Sequence, residues 1–492
     1  LLPEISLTPQ IAGRFKSVFG DSIALWHSKL SKSQRSWTWA QICKGTFKVV
    51  IGARSAIFAP LKNLGLIVID EEQEASFRQD SPAPRYHARD VALIRAKYEE
   101  SVAVLSSATP SLESYHNHLT KKLKYLHLPK RYGGAKYPTV HIVDMLEYQD
   151  ESGKYDQVIS GLLQDKIEER LMNKEQVLLL QNRRGFSPII RCGNCSAIRN
   201  CPHCDVTISY HLKTNNLICH FCGFNESKEN KRCHKCDNSN LLYFGTGTQK
   251  VESIIQETFP SASIGRLDID TSLKGDYMTS VLKSFNNGDI DILLGTQMIA
   301  KGLDFPNATL VGIINADLGL HLPDFRVGER IFQLIYQASG RSGRRQKQGE
   351  VVIQTFSPNN PVIKQAATLN MMKYYKIALK EREELNYPPF SWLSKIEIVG
   401  HNKEKVSRLS KQIHHKIKWQ YKGLEILGPA PCYLEKLRNQ FRFHIVFKSL
   451  KTLDPNGKRL HQFLNRNFAD INKKFKLGKN RINIHIDPLS LI

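Results

Sequence analysis

Eight of the ten cysteines fall into four Cys-x-x-Cys pairs: Cys192/Cys195, Cys201/Cys204, Cys219/Cys222 and Cys233/Cys236. A two-residue gap lets both thiolates of a pair grip one metal ion from a tight knuckle, and two pairs complete a closed tetrahedral set. Four pairs therefore point to two structural zinc sites with no open position for catalysis. The pairs can combine in three ways. Short intervals favour nesting, with Cys201, Cys204, Cys219 and Cys222 around one ion and Cys192, Cys195, Cys233 and Cys236 around the other. His203, His211, His220 and His234 lie close enough to compete as ligands, although eight thiolates suffice. An iron–sulfur cluster is the chemical alternative for the same donors. Disulfides are disfavoured, because nothing marks the chain for secretion. Cys43 and Cys432 stand apart and read as reduced structural residues.

A second group of residues follows apolar runs. Asp70-Glu71-Glu72-Gln73 comes directly after residues 64–69. A carboxylate at the end of a buried strand can hold Mg²⁺, directly or through water, and its neighbour can orient an attacking water. Taken alone, the same pattern also describes an acidic turn. Ser106-Ser107-Ala108-Thr109-Pro110 follows residues 102–105, and Gly295-Thr296-Gln297 and Lys301-Gly302-Leu303-Asp304 follow residues 290–294. A helical stretch over 326–339 runs into Gln337-Ala338-Ser339-Gly340-Arg341-Ser342-Gly343-Arg344. Arg341 and Arg344, three apart beside glycines, could neutralise charge developing on a triphosphate. In residues 74–90, Phe77, Arg78, Arg85, Tyr86, His87 and Arg89 interleave rings with cations. Rings stack on unpaired bases and cations meet phosphates, which suits single-stranded nucleic acid. The plainer reading makes Phe77 and Tyr86 anchors of an ordinary loop.

These residues need a frame. Residues 64–69, 102–105, 177–180, 290–294, 310–314 and 351–354 read as buried strands, and helical patterns over 250–258 and 326–339 separate some of them. That alternation predicts an α/β protein with parallel sheets covered by helices, whose ligands gather beyond the carboxyl ends of the strands. The length of 492 residues predicts three or four domains, and 41% hydrophobic residues exclude wholesale disorder. No apolar run is long enough to span a membrane. The formal net charge is +24, of which residues 391–492 carry +14. Such an excess points to a polyanion, with nucleic acid the leading partner. Two Zn²⁺ held by eight thiolates would bring the figure near +20.

The ordered motifs resemble those of superfamily 2 helicases. Asp-Glu-Glu-x is similar to the Walker B motif, Ser-Ala-Thr to the motif coupling hydrolysis to unwinding, and Gln-x-x-Gly-Arg-x-Gly-Arg to the arginine-finger motif. Residues 2–10 (LPEISLTPQ), 52–60 (GARSAIFAP), 85–90 (RYHARD), 107–114 (SATPSLES), 182–188 (NRRGFSP), 245–249 (GTGTQ) and 317–330 (DLGLHLPDFRVGER) narrow the resemblance to the PriA family of replication-restart helicases. The eight-Cys insertion is also a feature of that family.

The resemblance implies two RecA-like lobes with ATP between them, the first lobe incomplete. It implies 3′ to 5′ movement on DNA, recognition of stalled forks and the start of primosome assembly. Its expected partners are forked and single-stranded DNA, the single-strand-binding protein and other primosome proteins, with a monomer in the cytoplasm. By resemblance, Asp70 holds Mg²⁺, Glu71 is the catalytic base, and Gln337, Arg341 and Arg344 serve the γ-phosphate. Gly302 and Asp304 would touch the nucleotide. Phe77, Arg78, Arg85 and Tyr86 would belong to an aromatic-rich loop linking DNA contact to hydrolysis. The domains expected are residues 1–157 for the first lobe and a linker, 158–390 for the second lobe, 191–240 for the zinc insertion within it, and 391–492 for a basic α+β domain.

Two features depart from the family. No Gly-x-x-x-x-Gly-Lys-Ser/Thr loop occurs, and the nearest decoy, Gly245-Thr246-Gly247-Thr248-Gln249-Lys250, has the wrong spacing. In the family that loop precedes the segment matching residues 2–10. The opening Leu1-Leu2-Pro3-Glu4 lacks an initiator Met and a signal peptide, so the sequence reads as a fragment of a longer protein, inactive towards ATP by itself. A non-catalytic zinc-ribbon scaffold binding DNA and protein is the alternative. Gln73 stands where the family has His, keeping a donor and an acceptor but no titratable proton.

Beyond Asn386-Tyr387-Pro388-Pro389-Phe390, residues 394–400 and 441–447 read as strands and 403–419 as a basic helix. Gly428-Pro429-Ala430-Pro431 reads as a turn. Arg438, Arg442, Lys473, Lys474 and Lys476 are placed toward phosphates, unless they simply form a solvated face.

Overall fold

The computed structural model describes the chain except residues 4–7, 130–133, 135, 149–157, 182–188, 193–194, 196–198, 205–207, 212–215, 220–221, 223, 228–231, 234, 239–240, 245–247, 269–276, 298, 300–304, 321, 344–346, 418–419, 470–476 and 492. The side chains of residues 8–12, 189–192, 209–211, 218, 227 and 241–244 also fall outside the description. Two compact units emerge, Leu1–Tyr125 and Leu126–Ile492.

In the first unit, Leu66–Asp70 pairs in parallel with Val102–Ser106, and Ile23–Trp26 pairs in parallel with Val49–Gly52. Leu1 and Leu2 run between the two pairs. The Leu2 N–H donates to the Gly52 carbonyl at 2.9 Å, and the Asp70 N–H donates to the Leu1 carbonyl at 3.1 Å. Leu66–Asp70 alternates, with Ile67 and Ile69 turned into a core of Ile57, Phe77, Ala88, Ala92 and Ala96. Small alanines at every fourth position let the helix Ala88–Tyr98 lie close against the strands.

The second unit holds a six-stranded parallel sheet in the order Ile264–Leu267, Ile292–Gly295, Gln176–Leu180, Ala308–Ile313, Glu350–Thr355, Thr139–Asp144. Its inner strands are buried on both faces, as near-continuous apolar runs demand. Thr139–Asp144 forms the edge of this sheet. Residues 139–144 therefore pack with the second lobe, although the sequence-based division places them in the first. The Cys-rich segment emerges between Gln176–Leu180 and the helix Thr248–Thr258. It stands on the antiparallel pair Ile189–Cys192 and Leu241–Phe244 and contains the meander Ser209–His211, Asn216–Ile218, Asn225–Ser227.

From Ser391 onward the fold is α+β: an antiparallel sheet in the order Leu424–Leu437, Gln440–Leu450, Ser391–Gly400, Arg481–Ile486. Helices Lys403–His415 and Lys458–Phe468 press Val406, Leu409, Ile413, Leu460 and Phe463 onto Ile396, Ile398, Phe443, Ile445 and Phe447. The basic helix expected over 403–419 thus ends at His415. Gly428-Pro429-Ala430-Pro431 does not reverse the chain. It lies inside the strand Leu424–Leu437, where the register slips between Leu427 and Ala430. A proline donates no ladder hydrogen bond, and in this outer strand its place is an irregularity.

Candidate functional sites

The acidic motif closes the strand Leu66–Asp70, and its four residues do four different things. Asp70 ends the strand, half-buried. Glu71 takes φ +51°, a left-handed conformation that costs a non-glycine residue about 1 kcal/mol, and so turns the chain sharply. Gln73 then folds back: its Nε2 donates to Glu71 Oε2 at 2.7 Å, and its Oε1 accepts from Ser107 Oγ at 2.6 Å. The Ser107 hydroxyl also accepts from the Thr109 N–H at 2.9 Å. Gln73 therefore ties the acidic motif to Ser-Ala-Thr with one donor and one acceptor.

Glu72 points the other way and is 1% exposed. It accepts from the Ser111 N–H at 2.6 Å, the Ser111 hydroxyl at 3.2 Å and Arg89 Nη1 at 3.1 Å. Arg89 Nη1 also donates to Ser111 Oγ at 2.8 Å. Burial alone would lower the Arg89 pKa, but Glu72, Asp90 and Glu113 hold it above its ordinary value. His87, beside it, is pushed down to about 4 by burial and then by the Arg89 charge. Neither Glu72 nor Ser111 stands out in the sequence. Glu72 reads as one more acid in a turn, and its partners lie 17 and 39 positions away.

The 74–90 segment is braced rather than loose. Arg54 Nη1 donates to the Arg78 carbonyl at 2.5 Å, and Arg54 Nη2 donates to Gln79 Oε1 at 3.1 Å. Gln79 Nε2 in turn donates to the Pro82 and Pro84 carbonyls at 3.1 and 3.0 Å. Phe77 is 0% exposed and belongs to the core of the first unit, which corrects its assignment as a base-stacking ring. Arg78, its side chain nearly buried, pairs with Asp80 at 3.2 Å, which likewise corrects its expected place at the DNA. Tyr86 is half-buried, edge-on to Phe58 with ring centres 5.0 Å apart. Arg85 is exposed and donates to the Asp80 carbonyl at 3.0 Å.

In the second unit, the helix Val327–Ser339 buries Gln337 and delivers the chain to Arg341, half-buried. Ser342 pins that turn, its hydroxyl donating to the Thr309 carbonyl at 2.6 Å. Gly343 has φ +63°, and a Cβ there would meet the Gly349 nitrogen at 2.4 Å, so the motif's second glycine is required by close approach. Arg344, Gly302 and Asp304 lie outside the described residues. The start of the same helix is locked by a buried ion pair, Glu329 with Arg382 at 3.0 Å, and Arg382 sits 4.5 Å over the Phe325 ring.

The sulfurs of Cys201, Cys204, Cys219 and Cys222 lie within 4.8 Å of one another, and so do those of Cys195, Cys233 and Cys236. This is the nested arrangement. The Cys192 side chain, His220 and His234 lie outside the described residues, as does the His211 side chain. His203 packs its ring edge-on to Phe224, with centres 5.2 Å apart, and its backbone N–H donates to Cys201 Sγ at 3.4 Å. Four convergent, mostly buried sulfurs fit a thiophilic cation. Burial and the neighbouring thiols Cys219 and Cys222 push the Cys201 thiol up to about 12. Burial likewise raises Cys204 to about 11. Burial would raise Cys222 too, but the Phe224 N–H and the adjacent thiols bring it down to about 7. A bound divalent ion removes the conflict by taking four thiolates at once.

Among the cations placed toward phosphates, Arg442 is spent on Glu397 at 2.5 Å, inside the C-terminal sheet. That corrects its expected role. Lys473, Lys474 and Lys476 lie outside the described residues.

The fold and motifs define a helicase-type α/β protein with a Cys-rich metal-binding insertion. Residues 1–118 match the DEAD/DEAH box helicase family, and residues 222–346 match the helicase conserved C-terminal domain. Residues 201–226 match the PriA DNA helicase Cys-rich region (CRR) domain, and residues 383–489 match the primosomal protein N C-terminal domain. The chain is 41% identical over 449 residues to the replication restart protein PriA of Bacillus subtilis, covering 91% of this chain and 55% of the relative. It is 39% identical over 493 residues to that of Chlamydia pneumoniae, covering 64% of the relative. With the Rickettsia felis protein the figures are 36% identity, 91% of this chain and 68% of the relative. The chain belongs to the PriA replication restart protein family. It spans little more than half to two thirds of the length of these relatives. Among solved structures, the helicase MrfA bound to DNA has a TM-score of 0.44 at 14% identity, covering 77% of this chain and 42% of that one. RecG bound to a three-way DNA junction has a TM-score of 0.39 at 16% identity, covering 78% of this chain and 42% of that one.

Proposed function

We propose that this chain is the motor-bearing part of an ATP-dependent DNA helicase that moves 3′ to 5′, acts at stalled forks and starts primosome assembly. The observation that carries this reading is the Glu71–Gln73–Ser107 chain of hydrogen bonds, which joins the acidic motif to Ser-Ala-Thr in a member of a helicase family. A zinc-ribbon scaffold has no use for such a link. In this reading Asp70 binds Mg²⁺ and Glu71 activates water. Gln337, Arg341 and Arg344 stabilise the γ-phosphate, with Gly302 and Asp304 at the nucleotide. Metal and nucleotide supply charge neutralisation and the leaving group, and the chain's own residues orient them.

The cysteines hold two Zn²⁺, one per cluster, with Cys192 the fourth ligand of the outer one. They brace the insertion rather than take part in hydrolysis. Arg85 and the half-buried Tyr86 face DNA, while Phe77 and Arg78 hold the loop in place. Forked and single-stranded DNA, the single-strand-binding protein and primosome proteins are the partners. Among the described residues, no helix is long and apolar enough to cross a membrane.

Two measurements on residues 1–492 test the reading. The logarithm of the affinity for forked DNA should fall linearly with the logarithm of salt concentration, as phosphate contacts require. DNA-stimulated ATP turnover should be negligible, because the sequence contains no Gly-x-x-x-x-Gly-Lys-Ser/Thr loop. Turnover by this chain contradicts the expected inactivity of residues 1–492 alone, and salt-independent binding contradicts the phosphate contacts.

A further inference from the structure

The strands Leu424–Leu437 and Gln440–Leu450 of the C-terminal domain are joined by Arg438 and Asn439 alone, since Leu437 pairs with Gln440. Both joining residues have positive φ, +50° and +61°. A two-residue turn of this hand suits Asn and Gly, and it disfavours arginine. Its two central amides also lie outside the strand ladder, where water or a neighbouring element can take their hydrogen bonds.

Both find partners on the metal-binding knuckle. The Arg438 N–H donates to Cys204 Sγ at 3.1 Å, and the Asn439 N–H donates to the His203 carbonyl at 2.6 Å. Beside them, Lys436 Nζ donates to the Pro202 carbonyl at 2.9 Å. Leu437 packs on the cluster of Cys201, Cys204, Ile208, Leu217 and Cys219. Three consecutive residues of the knuckle are therefore held by a hairpin more than 230 positions later in the chain. On its other side the tip is tied to its own domain, with Arg481 donating to Gln440 Oε1 at 2.7 Å.

Resting on the reading that the four inner thiols hold a zinc ion, we propose that the tip Lys436–Asn439 completes that metal site. The Arg438 amide serves as an outer hydrogen-bond donor to the Cys204 thiolate. Four thiolates around one divalent cation leave a doubly negative centre, and an N–H aimed at a ligand sulfur stabilises it. The Lys436 ammonium adds positive charge at the same edge. The arrangement makes metal retention and docking of the C-terminal domain one coupled event: the ion orders the knuckle that receives the tip, and the tip slows release of the ion.

The test is zinc release from the intact chain into a chromogenic chelator. Arg438→Pro removes the N–H and, with φ fixed at about −65°, also withdraws the tip from its +50° turn. It should therefore release one equivalent at least about tenfold faster than the unmodified chain, the usual effect of losing an outer-shell partner. Arg438→Gly keeps the N–H, accepts positive φ and should release at the unmodified rate. Equal rates for the unmodified chain and Arg438→Pro overturn the proposal, and so does an Arg438→Gly variant as fast as Arg438→Pro. A second measurement guards against general unfolding by proline. Stripping metal from the unmodified chain should speed hydrogen exchange in residues 436–440 while leaving the helix Lys458–Phe468 protected. Unchanged protection at the tip overturns the coupling. Absence of metal from the unmodified chain overturns the zinc reading itself, which separates the two failures.

Discussion

Replacing Arg89 with methionine removes a cation and leaves Glu72 in place, 1% exposed, behind the acidic motif. The carboxylate loses the 3.1 Å contact to Arg89 but keeps the Ser111 N–H at 2.6 Å and the Ser111 hydroxyl at 3.2 Å. Stripping one partner from a buried pair costs roughly 3–5 kcal/mol. The two surviving donors, and the 15% exposure of the Arg89 side chain, put the cost at the lower end, about 3 kcal/mol. That is roughly a 150-fold shift in the local opening equilibrium. Hydrogen exchange reads it without assuming that a multi-unit chain unfolds in one step. Amides of the strand Leu66–Asp70 and the helix Ala88–Tyr98 should exchange about 150-fold faster in Arg89→Met. Adding Glu72→Gln should recover much of the loss, because the second change removes the stranded charge. A change below threefold in Arg89→Met, or no rescue by the double variant, would refute the idea that this pair holds the motif.

Other outcomes follow from the same geometry. Arg442→Met should destabilise the C-terminal domain by a comparable amount, since among the described residues Glu397 then keeps only Asn483 at 3.3 Å and the more distant His485. Hydrogen exchange in the strands Ser391–Gly400 and Gln440–Leu450 of the variant reads this directly. Burial, Lys395 and Arg442 push His444 down to about 4 in the folded chain, so the unfolded chain takes up its proton first. Its stabilising contribution is complete above pH 6.5 and falls by up to about 3 kcal/mol as pH drops from 6.5 through 4. A melting temperature that stays level or rises across that window speaks against this. Tyr86→Ala should weaken single-stranded DNA binding by about 1 kcal/mol in an anisotropy titration, at the low end for a stacking ring because Phe58 covers one edge. Equal affinities would remove Tyr86 from the interface.

Legibility in the sequence followed range. Cysteine spacing foreshadowed the nested clusters, because two-residue knuckles are local objects and short intervals limit how they can close. The runs at 177–180, 310–314 and 351–354 appear as parallel strands, because burial on both faces leaves a continuous apolar signal. Long-range partners were not legible. Glu72 looks like any acid in a turn until Arg89 and Ser111 are seen to meet it. Phe77 sits among cations in sequence, yet it turns into the core, since a ring beside a charged loop serves as well for an anchor as for a stacking surface. Residues 139–144 carry no mark of which sheet they join. The proline-rich 428–431 signals an irregularity, and whether that becomes a turn or a bend within a strand depends on the neighbouring strand.

The central claim is that the acidic motif drives unwinding. The most direct measurement is strand displacement from a forked duplex by residues 1–492 fused to an added P-loop-bearing first-lobe segment, compared with the Glu71→Gln variant of the same fusion. The account predicts ATP-dependent displacement that requires a 3′ single-stranded path and disappears in Glu71→Gln, with fork affinity retained. Equal displacement by the two proteins would contradict it.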